Sequence, residues 1–180
     1  MMEDKLNVLA ISGSLRPNSS NTAIVQFIKA ICPPEVNYTI YTELGSLPHF
    51  NDSDTIPEVV QNFHQQVAQS DGVLICTPEY AFGVPGVLKN ALDWSVGLGS
   101  FDNKPVAMIS AGTGGDKAHA SLLLTLQAIN ANVHRASLNI PFVRSKMRDG
   151  TIIDDVTVKA VNLLLESFIT NMIGSRNAGH

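Results

Sequence analysis

Runs of consecutive apolar residues, rather than alternating ones, constrain the fold of this chain most strongly. They occupy residues 8–11, 72–77 and 106–110. A strand that is apolar at successive positions must be covered on both faces, which is typical of parallel sheets flanked by helices. Longer stretches with apolar residues at helical spacing separate these runs. Covered strands joined through helices predict an α/β fold with a parallel, doubly wound sheet.

The full pattern predicts five strands that alternate with helices. The strands are expected at residues 7–12, 36–41, 72–77, 106–110 and 133–140. Helices are expected over residues 57–70, 85–94, 117–130 and 155–173, and an earlier one carries Ile24, Phe27, Ile28 and Ile31 on one face. Five such strands favour a flavodoxin-like three-layer α/β/α sandwich with a five-stranded parallel sheet of order 2-1-3-4-5. We expect a single domain over residues 1–180.

Composition narrows the class of protein. A chain of 180 residues with 44% hydrophobic and 16% charged residues predicts one globular domain with a substantial core. The net charge of −4 and the lack of a dense Lys/Arg run argue against nucleic acid as a partner. Cys32 and Cys76 are too few for a disulfide framework and suit a reducing cytoplasm. The polar start of the chain and the lack of a membrane-length apolar stretch predict a soluble cytoplasmic protein with no membrane partner.

The loop after the first strand has the chemistry of a phosphate site. Residues 13–22 read GSLRPNSSNT and lead into a helix. The short donors and the single cation of this loop are Ser14, Arg16, Ser19, Ser20, Asn21 and Thr22. Gly13 lets backbone approach a ligand, and the following helix points unpaired N–H groups at the loop. The pattern favours a phosphomonoester, although serine-rich turns of this kind also serve as simple helix caps.

The loop after the third strand could accommodate a flat ring. Residues 77–86 read TPEYAFGVPG, in which two prolines stiffen the backbone. A planar cofactor could lie against Tyr80 or Phe82, or the aromatic residues could instead pack on a neighbouring subunit. Glu79 has no partner carboxylate or histidine at a telling spacing, so we do not assign it a catalytic role.

The loop after the fourth strand is rich in glycine. Residues 110–116 read SAGTGGD, and this lets backbone N–H groups approach ligand carbonyl oxygens or an anionic ring nitrogen. Lys117 stands where the dinucleotide fingerprint needs its last glycine, and the Walker A pattern is absent from the sequence. A phosphate in the first loop therefore favours FMN. The histidines show no metal-ligand spacing, so no metal site is predicted.

Motifs at the ends of these three strands occur together and in order. They are GSLR followed by S-x-N, TPEY followed by PG-x-LKNALDW, and S-x-G-x-GG. With them the chain resembles the NADPH-dependent FMN reductase family. The resemblance implies non-covalent FMN, with its phosphate held around the first-loop residues named above. The resemblance implies that residues of the third and fourth loops contact the isoalloxazine ring, and Phe82 adjoins them. They are Pro78, Glu79, Tyr80, Ala81, Ser110, Gly112, Gly114 and Gly115. Ala81 replaces the asparagine that relatives usually carry.

The resemblance also implies a reaction. NADPH or NADH would reduce FMN by hydride transfer, and a quinone, azo or nitro compound, free flavin or metal oxyanion would then reoxidise it by a ping-pong mechanism. No titrating catalytic side chain is expected. A homodimer or homotetramer is implied, with Trp94 near the subunit interface. Two alternatives remain open, namely a flavodoxin-like FMN electron carrier and a flavin-free binding module.

Overall fold

The computed structural model describes residues 5–178 and contains the predicted parallel sheet. Its strands run in the order β2-β1-β3-β4-β5, and β6 also pairs with β4. Their bounds are β1 Leu6–Ser12, β2 Val36–Tyr41, β3 Gly72–Thr77, β4 Pro105–Ala111, β5 Asn132–Val133 and β6 Leu138–Ile140. The predicted fold class and strand order are confirmed.

Helices cover both faces of this sheet. Their bounds are α1 Ser20–Ile31, α2 Glu58–Gln69, α3 Gly86–Trp94, α4 Asp116–Ala128 and α5 Asp155–Ala178. Helices α1 and α5 pack on one face, and α2, α3 and α4 pack on the other. Every residue of β3 and β4 is buried, as expected for strands that lie between two helical layers. Leu74 and Ile109 face α1 and α5, whereas Ile75 and Met108 face the opposite core.

The fifth strand differs from the sequence-based expectation. Residues 133–140 were expected to form one strand, but β5 and β6 are separate pieces on the same side of β4. Val133 is opposite Val106 and Leu138 is opposite Ile109. The outer segment therefore advances five residues while β4 advances three. The backbone N–H of Ala136 donates to Nδ1 of His134 at 3.2 Å. This local bond curls the backbone away from the ladder, and pairing resumes two residues later than a regular strand would allow.

A small substructure between β6 and α5 was not predicted. It consists of a 3₁₀ helix, Val143–Lys146, and a hairpin of β7, Met147–Arg148, and β8, Thr151–Ile152. Asp149 and Gly150 form the tight turn of this hairpin, both with positive φ. Val143 and Ile152 are buried in the core beside α1 and α5, which fixes the substructure on the sheet.

Helix α5 is long and apolar enough, by length and composition, to cross a membrane, contrary to the expectation that no stretch approaches that length. A core helix meets the same criterion. The face of α5 that packs on the sheet carries Val161, Leu164, Leu165, Phe168 and Met172.

Trp94 lies in the core and not at a free surface. Its side chain is 3% exposed, and its indole N–H donates to the carbonyl oxygen of Pro48 at 2.8 Å. Its ring also meets Phe50 edge to face. Trp94 was implied to lie near a subunit interface, but it packs inside its own chain.

Candidate functional site

A cavity of about 660 Å3 lies at the carboxyl ends of β1, β3 and β4. This is the point where the strand order reverses, and ligands of open parallel sheets bind there. The volume falls within the roughly 300 to 1,000 Å3 typical of small-molecule and cofactor sites. The cavity is lined by Arg16, Asn18, Ser19, Ser20, Asn21, Pro78, Glu79, Tyr80, Ala111, Gly112, Thr113, Phe142, Val143, Arg144 and Ser145.

The first loop brings part of the predicted phosphate set to the cavity. Ser19 is the N-cap of α1, and its hydroxyl accepts from the backbone N–H of Asn21 at 3.2 Å. The guanidinium of Arg16 is exposed at the cavity wall. Ser14 and Thr22 do not line the cavity, because the Ser14 hydroxyl accepts from the N–H of Arg16 and the Thr22 hydroxyl lies 3.0 Å from that of Ser12. These two residues shape the loop.

Gly13 allows the first and third loops to approach each other. A Cβ atom at this position would lie 2.8 Å from Oγ1 of Thr77, closer than real side chains approach. The N–H of Gly13 donates to the carbonyl of Cys76 at 2.8 Å and extends the ladder to the edge of the cavity. Glycine is therefore required here by close packing.

The side chain of Asn21 bonds to the ends of two neighbouring strands. Its Nδ2 donates to the carbonyl oxygen of Ala111 at 3.1 Å, and its Oδ1 accepts from the thiol of Cys76 at 3.3 Å. Burial raises the pKa of the Cys76 thiol, so the sulfur keeps the proton that it donates. Although Asn21 lines the cavity, its amide therefore ties the start of α1 to the carboxyl ends of β3 and β4.

Glu79 joins the third loop to α4. Its Oε2 accepts from the backbone N–H groups of Lys117 and Ala118, each at 2.9 Å. The residue at the N-cap position of α4 is Gly115, which has no side chain to do this. The carboxylate therefore caps a helix that starts 37 positions further along the chain. This contact gives Glu79 a structural task at the cavity wall.

Residues 80–83 form a tight β-turn with two central residues. Tyr80 and Gly83 exchange backbone hydrogen bonds of 2.9 and 3.0 Å, and the central residues Ala81 and Phe82 have φ of +48° and +60°. This is a type I′ turn. Tyr80 lines the cavity together with Pro78, whereas Ala81 and Phe82 do not, and Phe82 is 79% exposed.

The side chain of Ser110 lies beneath the glycine loop and belongs to a hydrogen-bond chain. Its hydroxyl donates to Oδ1 of Asn139 at 3.2 Å, and Nδ2 of Asn139 donates to Asp116 at 2.6 Å. The Ser110 hydroxyl proton is used in that bond, so Nδ1 of His119, 2.8 Å from Ser110 Oγ, must be the donor. Neutral His119 therefore carries its proton on Nδ1, and burial lowers the pKa of this imidazole.

Of the predicted glycines, Gly112 lines the cavity and Gly114 and Gly115 do not. Gly115 has a φ of +108° and packs against Asn139, so it closes the loop over the Ser110 hydrogen-bond chain.

The wall formed by residues 142–145 was missed by sequence reasoning. The backbone N–H groups of Phe142 and Val143 donate to the carbonyls of Thr113 and Gly112 at 3.3 and 3.1 Å. These bonds hold the segment against the glycine loop, with Phe142 and Arg144 at the cavity. The segment directly follows β6, so the rule that ligands bind beyond the carboxyl ends of strands could have identified it.

The sequence profile of the NADPH-dependent FMN reductase family matches residues 6–144. The chain belongs to this family. The resemblance found in the sequence motifs is thereby confirmed, and the NADPH-dependent FMN reductases are oxidoreductases with a flavin and a nicotinamide as cofactors.

Relatives cover different parts of this FMN reductase family member. A 2-hydroxy-1,4-benzoquinone reductase of a Burkholderia species is 39% identical over 61% of this chain, and the match spans 62% of the relative's own length. An NADPH:quinone oxidoreductase of Arabidopsis thaliana is 31% identical over 94% of each chain. Among solved structures, the flavoenzyme NAD(P)H:(acceptor) oxidoreductase FerB of Paracoccus denitrificans superimposes with a TM-score of 0.82. It is 28% identical, over 94% of this chain and 98% of FerB.

Proposed function

We propose that this chain is an FMN-dependent NAD(P)H oxidoreductase that reduces a small acceptor, with quinones as the first class to test. The observation that carries this proposal is the cavity itself. A hydroxyl-rich loop with an arginine, a proline-tyrosine wall and a glycine-rich loop converge on it from the ends of three adjacent strands. These three kinds of surface match the phosphate, the flat ring and the polar ring edge of FMN.

The residues present fit that cofactor. Arg16, Ser19 and Ser20 would bind the phosphate together with the N-terminus of α1, where unpaired N–H groups favour an anion. Pro78 and Tyr80 would contact the ring system, and FMN bound here would supply the ability to accept and return a hydride. The predicted residues of the first and fourth loops that lie outside the lining are Ser14, Thr22, Ser110, Gly114 and Gly115, and they would act by shaping these two loops.

The protein groups at the cavity would orient the cofactor ring and stabilise negative charge on it, and would not transfer protons. Of the described residues that line it, Glu79 is the one carboxylate, and both of its described hydrogen bonds hold α4 in place. The backbone around Gly112 can place N–H dipoles near a ring edge on which negative charge develops. Stabilisation by fixed dipoles requires no titrating side chain, which agrees with the absence of a catalytic pair in the sequence.

Nicotinamide and acceptor would each react at the ring of the same bound flavin, so the two half-reactions would share one site. The nicotinamide would leave before the acceptor enters, which gives ping-pong kinetics. Two relatives with quinone reductase names, one from Burkholderia and one from Arabidopsis, support quinones as acceptors. Azo and nitro compounds, free flavins and metal oxyanions are further candidates from the same chemistry.

Anaerobic reduction of FMN-loaded protein tests this function. We expect NADPH or NADH to bleach the flavin absorbance, and menadione to restore it and sustain steady nicotinamide oxidation. Flavin that binds but is not bleached by either nicotinamide would instead indicate an electron carrier. Protein that neither shows flavin absorbance after supplementation nor quenches FMN fluorescence would indicate a binding module for another ligand.

We propose in addition that the protein works in the cytoplasm as a homodimer or homotetramer. Exposed apolar side chains on the α3 and α4 side of the sheet support self-association, namely Val96, Leu98 and Leu124. Light scattering of the purified protein should give a mass of two or four chains. A fully active monomer would contradict this assembly.

A further inference from the structure

We propose that Arg144 is a second phosphate-binding residue of this site and acts together with Arg16. Its ligand is a phosphate monoester, carried either by FMN or by the 2′ position of NADPH. The inference rests on the proposed function, because it assumes that phosphorylated cofactors enter this cavity. Arg144 comes from a segment 128 residues after Arg16, and the fold brings both to the lining of the same cavity.

The backbone around Arg144 is fixed. Val143 is 5% exposed and belongs to the core, and its N–H donates to the carbonyl of Gly112 at 3.1 Å. On the other side, the carbonyl of Lys146 accepts from the N–H of Ile153 at 2.9 Å. The 3₁₀ helix that carries Arg144 is therefore anchored at both ends, and this limits where the guanidinium can reach.

Neither arginine is engaged elsewhere. Within residues 5–178, the side chains of Arg16 and Arg144 have no hydrogen-bond or ion-pair partner. An arginine that faces a cavity and is not paired with a protein carboxylate keeps its five donors for a ligand. Planar guanidinium groups also match phosphate oxygens with paired hydrogen bonds.

The charge of the expected ligand requires more than one cation. A phosphate monoester carries about −1.5 to −2 near neutral pH, so Arg16 alone leaves part of this charge uncompensated. Glu79 adds a negative group to the same lining. With Arg144 included, the two guanidinium groups match the charge of a phosphate dianion, while the Glu79 carboxylate is stabilised by the N–H groups at the start of α4.

Arg144 also borders a second cavity. This neighbouring space of about 620 Å3 shares Asn18, Ser19, Ser20 and Arg144 with the first. Its other lining residues come from the first loop, α1 and the β7–β8 hairpin, namely Pro17, Thr22, Ala23, Gln26, Met147, Asp149 and Gly150. A guanidinium at this boundary can meet a phosphate from either side. FMN would present one in the first cavity, and the phosphorylated adenosine of NADPH would present one in the second.

The test compares R144A and R144K with R148A. Arg148 has the same charge, is exposed, lies four residues away and lines neither cavity, so it is the matched control. The measurements are dissociation constants for FMN and for riboflavin, and KM values for NADPH and for NADH. Circular dichroism and the melting temperature establish that each variant is folded.

We expect R144A to lose about tenfold or more in one phosphate-dependent quantity, as for a charge-assisted contact. A weaker affinity for FMN with riboflavin unchanged assigns the phosphate to FMN. A higher KM for NADPH, with NADH and FMN unchanged, assigns it to the 2′-phosphate. R144K should recover part of the loss, because it keeps the charge but not the paired hydrogen bonds.

Two results would overturn the inference alone. In the first, the wild type binds FMN and oxidises NADPH, and R144A is unchanged in both assays. In the second, R148A loses as much as R144A, which would show a general charge effect. A wild type that does not bind FMN would overturn the proposed function, and this inference with it.

Discussion

Two adjacent residues, Ala81 and Phe82, hold a conformation that their side chains disfavour. A left-handed backbone costs roughly 1 to 2 kcal/mol for residues other than glycine, asparagine and aspartate. The pair nevertheless forms the type I′ turn beside the cavity. The asparagine that relatives usually carry at position 81 is a residue that tolerates this region. Alanine at this position therefore raises the conformational energy of the turn. It removes no side chain from the cavity, because residue 81 does not line it.

We expect A81G to raise the free energy of unfolding by about 1 kcal/mol, because glycine adopts a positive φ without strain. Urea denaturation monitored by circular dichroism measures the change. The matched control is A120G on the exposed face of α4, which should lower stability by about 1 kcal/mol. If both substitutions destabilise the protein alike, the turn is not strained.

Arg16 is exposed at the cavity, in the loop that precedes α1. R16A should weaken FMN binding by about 1 to 3 kcal/mol, because a guanidinium at the cavity wall is lost. Quenching of FMN fluorescence on titration with the protein measures the dissociation constant. K29A removes one positive charge from the far end of α1 and should change that constant little. An equal effect of both variants would indicate attraction by overall charge.

Among the helices, α4 depends most visibly on another part of the chain. Its first backbone N–H groups are satisfied by Glu79 from the third loop. The third loop and the glycine-rich loop that leads into α4 both line this cavity, so one carboxylate couples the positions of two of its walls.

E79A should lower the free energy of unfolding by about 1 to 2 kcal/mol, as for loss of a helix cap. It should also raise the dissociation constant for FMN, because the two walls are no longer tied together. E58A is the control, since Glu58 opens α2 at an N-terminus without a side-chain cap. Equal losses in E79A and E58A would show that charge at a helix start, and not this pair of hydrogen bonds, is responsible.

Elements with strong hydrophobic patterns were predictable from the sequence. Strands β3 and β4 are apolar at nearly every position because both faces are buried, and runs of this length are typical of strands in parallel sheets. The interruption between β5 and β6 was not predictable, since Ala136, Leu138 and Ile140 still alternate like a strand. The β7–β8 hairpin was missed because strands of two residues carry no periodicity.

The sequence was sufficient to predict which loops form the site, but not the directions in which their side chains point. The motifs after β1, β3 and β4 do meet at one cavity, because parallel strands end at one edge of the sheet. The side chains of Ser110 and Asn21 bond to protein groups that lie 29 and 90 residues away along the chain. Local sequence spacing does not reveal such distant partners. Arg144 was missed for a similar reason, since its segment is placed by hydrogen bonds to the glycine loop.

Over the whole molecule, three partly buried histidines should make stability depend on pH. Burial lowers the pKa of His64, His119 and His134 in the folded state. The unfolded chain, with a histidine pKa of about 6.5, then binds more protons than the folded chain as the pH falls. The stabilisation is complete above that value and decreases as the pH drops from about 6.5 towards the lower folded-state values.

We therefore expect the free energy of unfolding to be smaller at pH 5.5 than at pH 7.5. Urea denaturation at a series of pH values measures it, and H119Q should reduce the slope because one of the three groups is removed. A free energy that rises or stays constant as the pH falls through this range would contradict the predicted sign.

The interrupted outer strand beside β4 has a consequence for how copies of this chain can meet. Exposed strand edges with a long row of free N–H and C=O groups recruit strands from other molecules, and short or bulged edge strands prevent this. Here the edge is broken into pieces of two and three residues with a bulge between them. A foreign strand would find no continuous ladder along this side, so the sheet is protected against edge-to-edge aggregation there.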